Sequence, residues 1–209
     1  MLFRSALTNQ MMRRRHPSAA PSGERKTKPA GAPLATLWDE PSITEISTLG
    51  NYFEDIRVGE VRELGSHTFE RDEIIAFAQA FDPQPFHLSE EAGKASLFGG
   101  LSASGWHTAS MFIRQVVRSR HVHEAALRAE GKPIAVWGPS PGFLNLAWLK
   151  PVLMGDTIAY RNKVIETRAL KTRPDRGFVV TLAEGRNQHG VIVFRYTGQM
   201  FVERRTRAS

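Results

Sequence analysis

From Pro133 onward the sequence reads as strands with almost nothing between them. Apolar and β-branched runs at Ile134–Trp137, Phe143–Leu149, Thr157–Thr167, Gly177–Arg186 and Val191–Val202 are separated by turn signals alone. Those signals are Pro139-Ser140-Pro141-Gly142, Met154-Gly155-Asp156, Pro174-Asp175-Arg176-Gly177 and Asn187-Gln188-His189-Gly190. Links this short cannot carry a parallel crossover, so the sheet must be antiparallel. Upstream lies one long helical stretch, starting near Ser104. In it Ala109, Phe112, Ile113, Val116 and Val117 fall on one stripe, and Arg114, Arg118 and Arg120 mark a wetter face. One helix ahead of a run of strands is an α+β layout. The first residues of the helix are small (Ser104, Gly105, Ala109, Ser110), as if other backbone packs close to them.

Before that helix the pattern is more broken. A strand through Val61–Phe69 leads to a short helix from Asp72 to Phe81, with Ile74, Phe77, Ala78 and Phe81 at offsets of three, four and seven. Asp82-Pro83-Gln84-Pro85 ends it, because each Pro lacks an amide donor and restricts the residue before it. Ser89-Glu90-Glu91-Ala92 has the pattern of one capped helical turn, and Phe98–Gly105 is a loop into the long helix.

The net charge of +7 first suggests a nucleic-acid partner, but the charge is unevenly placed. Residues 1–30 hold seven of the 28 Lys and Arg and only one of the 21 acids, Glu24, so the rest of the chain is nearly balanced. Residues 1–45 read as a disordered basic arm, with Pro17, Pro21, Pro29 and Pro33 interrupting any helix; residues 46–205 read as a single domain. Three accounts of the arm stay open: an inert or misplaced start, an organelle transit peptide, or a partner-binding arm. The absence of Cys excludes disulfides, thiolate nucleophiles and Cys-ligated zinc. No apolar run approaches the roughly 20 residues of a membrane span, and the N-terminus lacks the apolar core of a secretory signal. The expectation is a soluble cytoplasmic protein, or an organelle-matrix one if the arm is a transit peptide, with neither nucleic acid nor membrane as a partner.

Residues 82–105 carry the most specific pattern. Asp82-Pro83-Gln84-Pro85-Phe86-His87 is followed by Phe98-Gly99 and by Gly105 at the helix start, and later by Trp148-Leu149-Lys150-Pro151-Val152 and Gly155-Asp156. In this order and spacing the segment resembles the MaoC-like dehydratases, the family that includes the R-specific enoyl-coenzyme A hydratases. The resemblance covers about residues 52–203. It implies a hotdog fold, in which a curled antiparallel sheet wraps a long helix, and pairing into a homodimer or higher homo-oligomer. It also implies an acyl-coenzyme A substrate, with Asp82 and His87 in the segment ahead of the helix.

Those residue types suit the implied reaction. A neutral His is the natural base near pH 7, and a carboxylate can hold the same water and shuttle its second proton. From an extended, Pro-stiffened segment, Asp82 and His87 can both reach one cleft. Gly105 suits the thioester oxygen: an amide at a helix N-terminus is unpaired, and a bare Gly admits close approach. Coenzyme A enters only as part of the substrate, and neither a metal nor a redox cofactor is expected. Many relatives carry a Ser further along the helix, where this chain has Ile113; Ser110 lies one turn earlier.

The weaker candidates have ordinary readings beside the functional ones. His121-Val122-His123 suggests metal ligands but reads more simply as a solvated helix end. His107 fits packing, or support for neighbouring groups, better than catalysis. Gly93-Lys94 lacks the rest of a phosphate loop. Arg168, Lys171, Arg173 and Arg176 offer charges for coenzyme A phosphates, or merely a solvated hairpin. Two alternatives to hydration also remain open: a hotdog thioesterase, and a non-catalytic hotdog that binds acyl-coenzyme A or a partner. For the arm the expected outcome is definite. Removing residues 1–45 should leave the melting temperature and turnover unchanged, as thermal melts and rate measurements on the truncated chain will check.

Overall fold

The computed structural model describes residues 51–205, so the predicted arm over 1–45 lies outside the described residues. Strands β1 (Val61–Thr68), β2 (Phe143–Trp148), β3 (Thr157–Ala169), β4 (Arg176–Arg186) and β5 (Ile192–Glu203) form one sheet in the order β1-β3-β4-β5-β2. Every pairing in it is antiparallel, as the short links require. Between β1 and β2 run α1 (Arg71–Phe81), α2 (Pro85–Leu88), α3 (Glu90–Ala95) and the long α4 (Gly105–Ala129). The curled sheet around α4 is the hotdog arrangement.

The core lies between α4 and the concave face of the sheet. Phe112 on α4 meets Tyr160, Phe194 and Tyr196 with ring centroids 6.0, 5.9 and 5.2 Å away. Leu64, Phe69, Ile74, Leu101, Val152 and Ile158 close the cluster around them. Each such side chain, taken fully out of water, contributes roughly 1.5–3 kcal/mol.

The buried face of α4 differs from the predicted stripe. His107, Thr108, Phe112, Gln115 and Ser119 point inward, whereas Ile113 and Val117 stay 52% and 46% exposed. Gln115 and Thr108 are accommodated by specific bonds, whereas the Ser119 hydroxyl has no partner among the described residues. Gln115 Nε2 donates to the Ser66 carbonyl (2.9 Å), and the Tyr160 hydroxyl donates to the Thr108 carbonyl (3.1 Å). Arg120, expected on a wet face, is half-buried instead; its guanidinium donates to the Ala135 carbonyl and lies 4.5 Å from the Trp137 ring centroid.

The predicted strand Ile134–Trp137 is not one. Only Trp137 makes an isolated bridge, to Val202. Side-chain acceptors claim the segment's amides: Ala135 N–H donates to Asn51 Oδ1 and Val136 N–H to a Glu203 carboxylate oxygen, which leaves no ladder to build. The segment expected to be extended from Asp82 onward is also shorter. Pro85 opens the turn of α2, where its missing amide proton costs nothing, so His87 projects from a helix.

The loop between β2 and β3 buttresses this region. Ala103 N–H donates to the Val152 carbonyl (2.8 Å) and Met154 N–H to the Leu101 carbonyl (2.9 Å). Phe69 N–H donates to the Asp156 carbonyl, while Gly155 N–H donates back to the Phe69 carbonyl (both 2.9 Å). Residues 101–103 are thereby bracketed like a short strand. Gly93 is needed for packing rather than phosphate, since a Cβ there would stand 2.5 Å from Gly100 backbone atoms.

Candidate active site

Asp82 is the residue at which α1 stops. Its N–H still donates to the Ala78 carbonyl (2.9 Å), but its φ of −152° turns the chain out of the helix. Its carboxylate is held from two sides: Ser104 Oγ donates to Oδ2 (2.7 Å) and Gln84 Nε2 donates to Oδ1 (2.8 Å). Burial alone would raise this carboxyl. The two hydrogen bonds and the charge of His87 outweigh it and hold the group below the usual Asp range, as an anion.

His87 is 5% exposed. Its Nδ1 lies 2.6 Å from the Ser102 carbonyl, an acceptor that can only receive, so Nδ1 carries the hydrogen. In the neutral ring Nε2 therefore keeps its lone pair. That nitrogen stands 3.5 Å from Asp82 Oδ2. One backbone carbonyl thus fixes both the tautomer and the direction of the ring.

Gly105 is the first residue of α4, where an amide has no partner within the helix. Trp148 lies flat against it: Nε1 donates to the Gly105 carbonyl (2.8 Å), and a Cβ at Gly105 would come within 2.5 Å of the indole. Packing alone therefore explains why this residue is glycine. Ser104 caps the same helix by accepting from Trp106 N–H (3.2 Å).

Asp82, His87 and Gly105, singled out from the sequence, line one cleft of about 420 Å³. Phe86, Phe98, Ser102, Trp106 and Trp148 complete its walls. Sequence reasoning missed the parts played by Ser102, Ser104 and Gln84. Only Ser104 carried a signal, as a helix-capping residue directly before Gly105. Ile113 does not line the cleft, and the Ser110 hydroxyl donates to the Trp106 carbonyl (2.7 Å), so neither supplies a hydroxyl to the Asp82–His87 pair. Arg168, Lys171, Arg173 and Arg176 also lie off the cleft wall. Of the His121–His123 pair, His121 is exposed and His123 half-buried.

Beneath the start of α4 sits a second polar group. His67 Nε2 donates to Glu73 Oε1 (2.7 Å), which also accepts from Glu70 N–H (3.1 Å). His107 faces the pair, stacked on Phe77 at 4.5 Å, and its Nδ1 has no partner among the described residues. The ligand atoms of His67, Glu73 and His107 lie within 4.8 Å of one another, the one group of three such side chains among the described residues close enough together to hold a metal ion. With His67 already bonded to Glu73, His107 Nδ1 is the unpartnered ring nitrogen of the group.

The family described as "MaoC like domain" matches residues 57–181 of the chain. A crystal structure of a MaoC-like dehydratase from Rhodospirillum rubrum is 39% identical, with a TM-score of 0.63; the match covers 75% of this chain and 99% of that one. The R-hydratase PhaJ1 of Pseudomonas aeruginosa, 19% identical with a TM-score of 0.51, shares the fold over 75% of this chain and 88% of its own. Protein YdeM of Bacillus subtilis is 22% identical over 151 residues, 72% of this chain and 98% of that protein.

The buried ring of His107 generates a pH prediction. Burial pushes it down to about 4 from 6.5, with the charge of His67 adding to the effect and Glu73 opposing it. Between those values the unfolded chain binds a proton that the folded one refuses. Stability is therefore full above pH 6.5 and falls as the pH drops toward 4, by on the order of 3 kcal/mol. His107→Phe, which keeps a ring against Phe77, should flatten that fall in urea denaturation measured across the same window. Equal slopes for parent and variant would mean that the ring titrates normally.

Proposed function

This chain belongs to the MaoC-like domain family, and from that premise we propose that it adds water to, or removes it from, the 2,3 double bond of an enoyl-coenzyme A thioester. One observation carries the reading. The Ser102 carbonyl leaves His87 with a free Nε2 lone pair, and that nitrogen stands 3.5 Å from an ionised Asp82 oxygen in a cleft bounded by the start of a helix.

A water seated to one side of His87 Nε2 and Asp82 Oδ2, within reach of both, donates one hydrogen to each. As its oxygen attacks C3, His87 takes the first proton and the π electrons move toward the thioester carbonyl. The unpaired amide of Gly105, at the positive end of α4, receives that developing charge. The proton then passes by way of Asp82 to C2, so that H and OH have been added across the bond and both side chains regain their starting states. Dehydration runs the same steps backward. Ser104 and Gln84 keep Asp82 ionised and fixed, which favours holding water over displacing a thiol. Product analysis with a short enoyl-coenzyme A separates the readings: a hydroxyacyl thioester for hydration, free thiol for a thioesterase, neither for a binding protein.

We also propose a homodimer. β2 is an edge strand, and its Phe143 and Leu144 are more than half exposed. An open, apolar edge of this kind is normally paired or covered. Pairing of β2 with β2 of a second copy would continue the sheet and bring a partner close to Trp148. Sedimentation should give a dimer at micromolar concentration; an active, stable monomer would refute it.

For the pair itself, Asp82→Asn and His87→Gln should each slow hydration by about 10²–10⁴-fold. The double variant should lose far less than the product of the two losses, because both groups serve one step. Melting temperatures should stay near the parent's. Normal turnover in folded His87→Gln would end this mechanism.

A further inference from the structure

Among the described residues one cavity is roomier than the cleft that holds Asp82 and His87. A space of about 630 Å³ opens beside the middle of α4, lined by Ile113 and Val117 among others. Most of its wall is apolar, including Phe112, Val116, Val179 and Met200, but one end is built of Arg62, Arg120, Asn162 and Trp137. Arg62 and Asn162 are paired residues on β1 and β3, and they are only 5% and 7% exposed. Both guanidinium groups lie over the Trp137 ring, with carbons 5.6 and 4.5 Å from its centroid.

Each arginine is only partly satisfied. Arg62 Nε donates to Glu60 (2.9 Å), and Arg120 donates through Nε to Glu124 (2.7 Å) and through Nη2 to the Ala135 carbonyl (2.6 Å). Arg62 Nη2, Arg120 Nη1 and Asn162 Oδ1 are buried without a hydrogen-bond partner among the described residues. A buried guanidinium donor left unmade is costly, and two on residues that line one cavity call for an acceptor that both can reach by a small turn of the side chain. A carboxylate has that geometry, and the apolar wall beside it suits a hydrocarbon body.

This cavity also connects by its walls to the catalytic cleft. It shares Ile113, Phe143 and Tyr196 with a smaller apolar space of about 360 Å³, which in turn shares Trp106 with the cleft. The three spaces follow α4, whose rise puts Ile113 about 12 Å and Arg120 about 22 Å along the axis from Gly105.

We infer that the cavity beside the middle of α4 binds the carboxylate of an apolar-bodied ligand, through Arg62 and Arg120. Two sources share this chemistry. One is the far end of a thioester substrate whose acyl chain terminates in a carboxylate, a version that rests on the hydratase reading. The other is a free fatty acid, which does not.

Binding of dodecanoate and of dodecanol to the full chain, followed by calorimetry, tests the site without any variant. Dodecanoate should bind at least about tenfold tighter, as one charge-assisted hydrogen bond requires. Arg62→Gln and Arg120→Gln should each remove most of that difference while the melting temperature stays near the parent's. Equal affinity for acid and alcohol would overturn the inference, as would a preference that survives in both folded variants. Turnover of enoyl-coenzyme A thioesters of matched length, with and without a terminal carboxylate, then identifies the source. A higher kcat/KM for the carboxylated chain, lost in the arginine variants, assigns the substrate's tail. Acid-selective binding without that preference assigns a free fatty acid, and it can be read even if the chain hydrates nothing.

Discussion

One hydroxyl joins the two halves of the site. Ser104 Oγ accepts the amide of Trp106 and donates to Asp82, so the group that starts the central helix is also the group that holds the carboxylate. A hydroxyl has one hydrogen and two lone pairs, and here the hydrogen is committed to Asp82 while one lone pair caps α4. The end of α1 and the start of α4 therefore cannot shift independently. His87 is tied to the same place by a different route, through the Ser102 carbonyl two residues before the cap. The cleft is a consequence of these bonds.

The bonds in turn depend on the strand-like segment at residues 101–103. Alone it is a loop of small residues. It becomes rigid because the β2–β3 connection donates to it and accepts from it through backbone groups of Leu101, Ala103, Val152 and Met154. Trp148 extends the same support to the helix start, bonding to the Gly105 carbonyl and filling the space that a side chain there would need.

Much of this was legible in the chain itself. The antiparallel sheet followed from links too short for crossovers, and the long helix from the stretch beginning at Ser104. The spacing of Asp82, His87 and Gly105 marked the residues that line the cleft. The errors share one cause. Ile134–Trp137 has the composition of a strand, yet Asn51 and Glu203, distant in sequence, take its amides. The apolar stripe on α4 was read as its buried face, but Thr108, Gln115 and Ser119 point inward because sheet residues and turns of the helix itself offer them partners or space. Arg120 turned inward for the same reason, finding Ala135 and Trp137.

Local pattern thus determined what depends on neighbours a few residues apart: element type, the direction of strand pairing, the stop after α1 and the cap before α4. Tertiary structure alone decided which face of α4 is buried, which nitrogen of His87 carries its hydrogen, and that two arginines 58 positions apart in the chain line one cavity. The physical reason is the reach of the forces. Periodicity and turn chemistry act along the backbone, whereas a buried polar group is stable only beside its particular partner, and that partner is chosen by the packed fold.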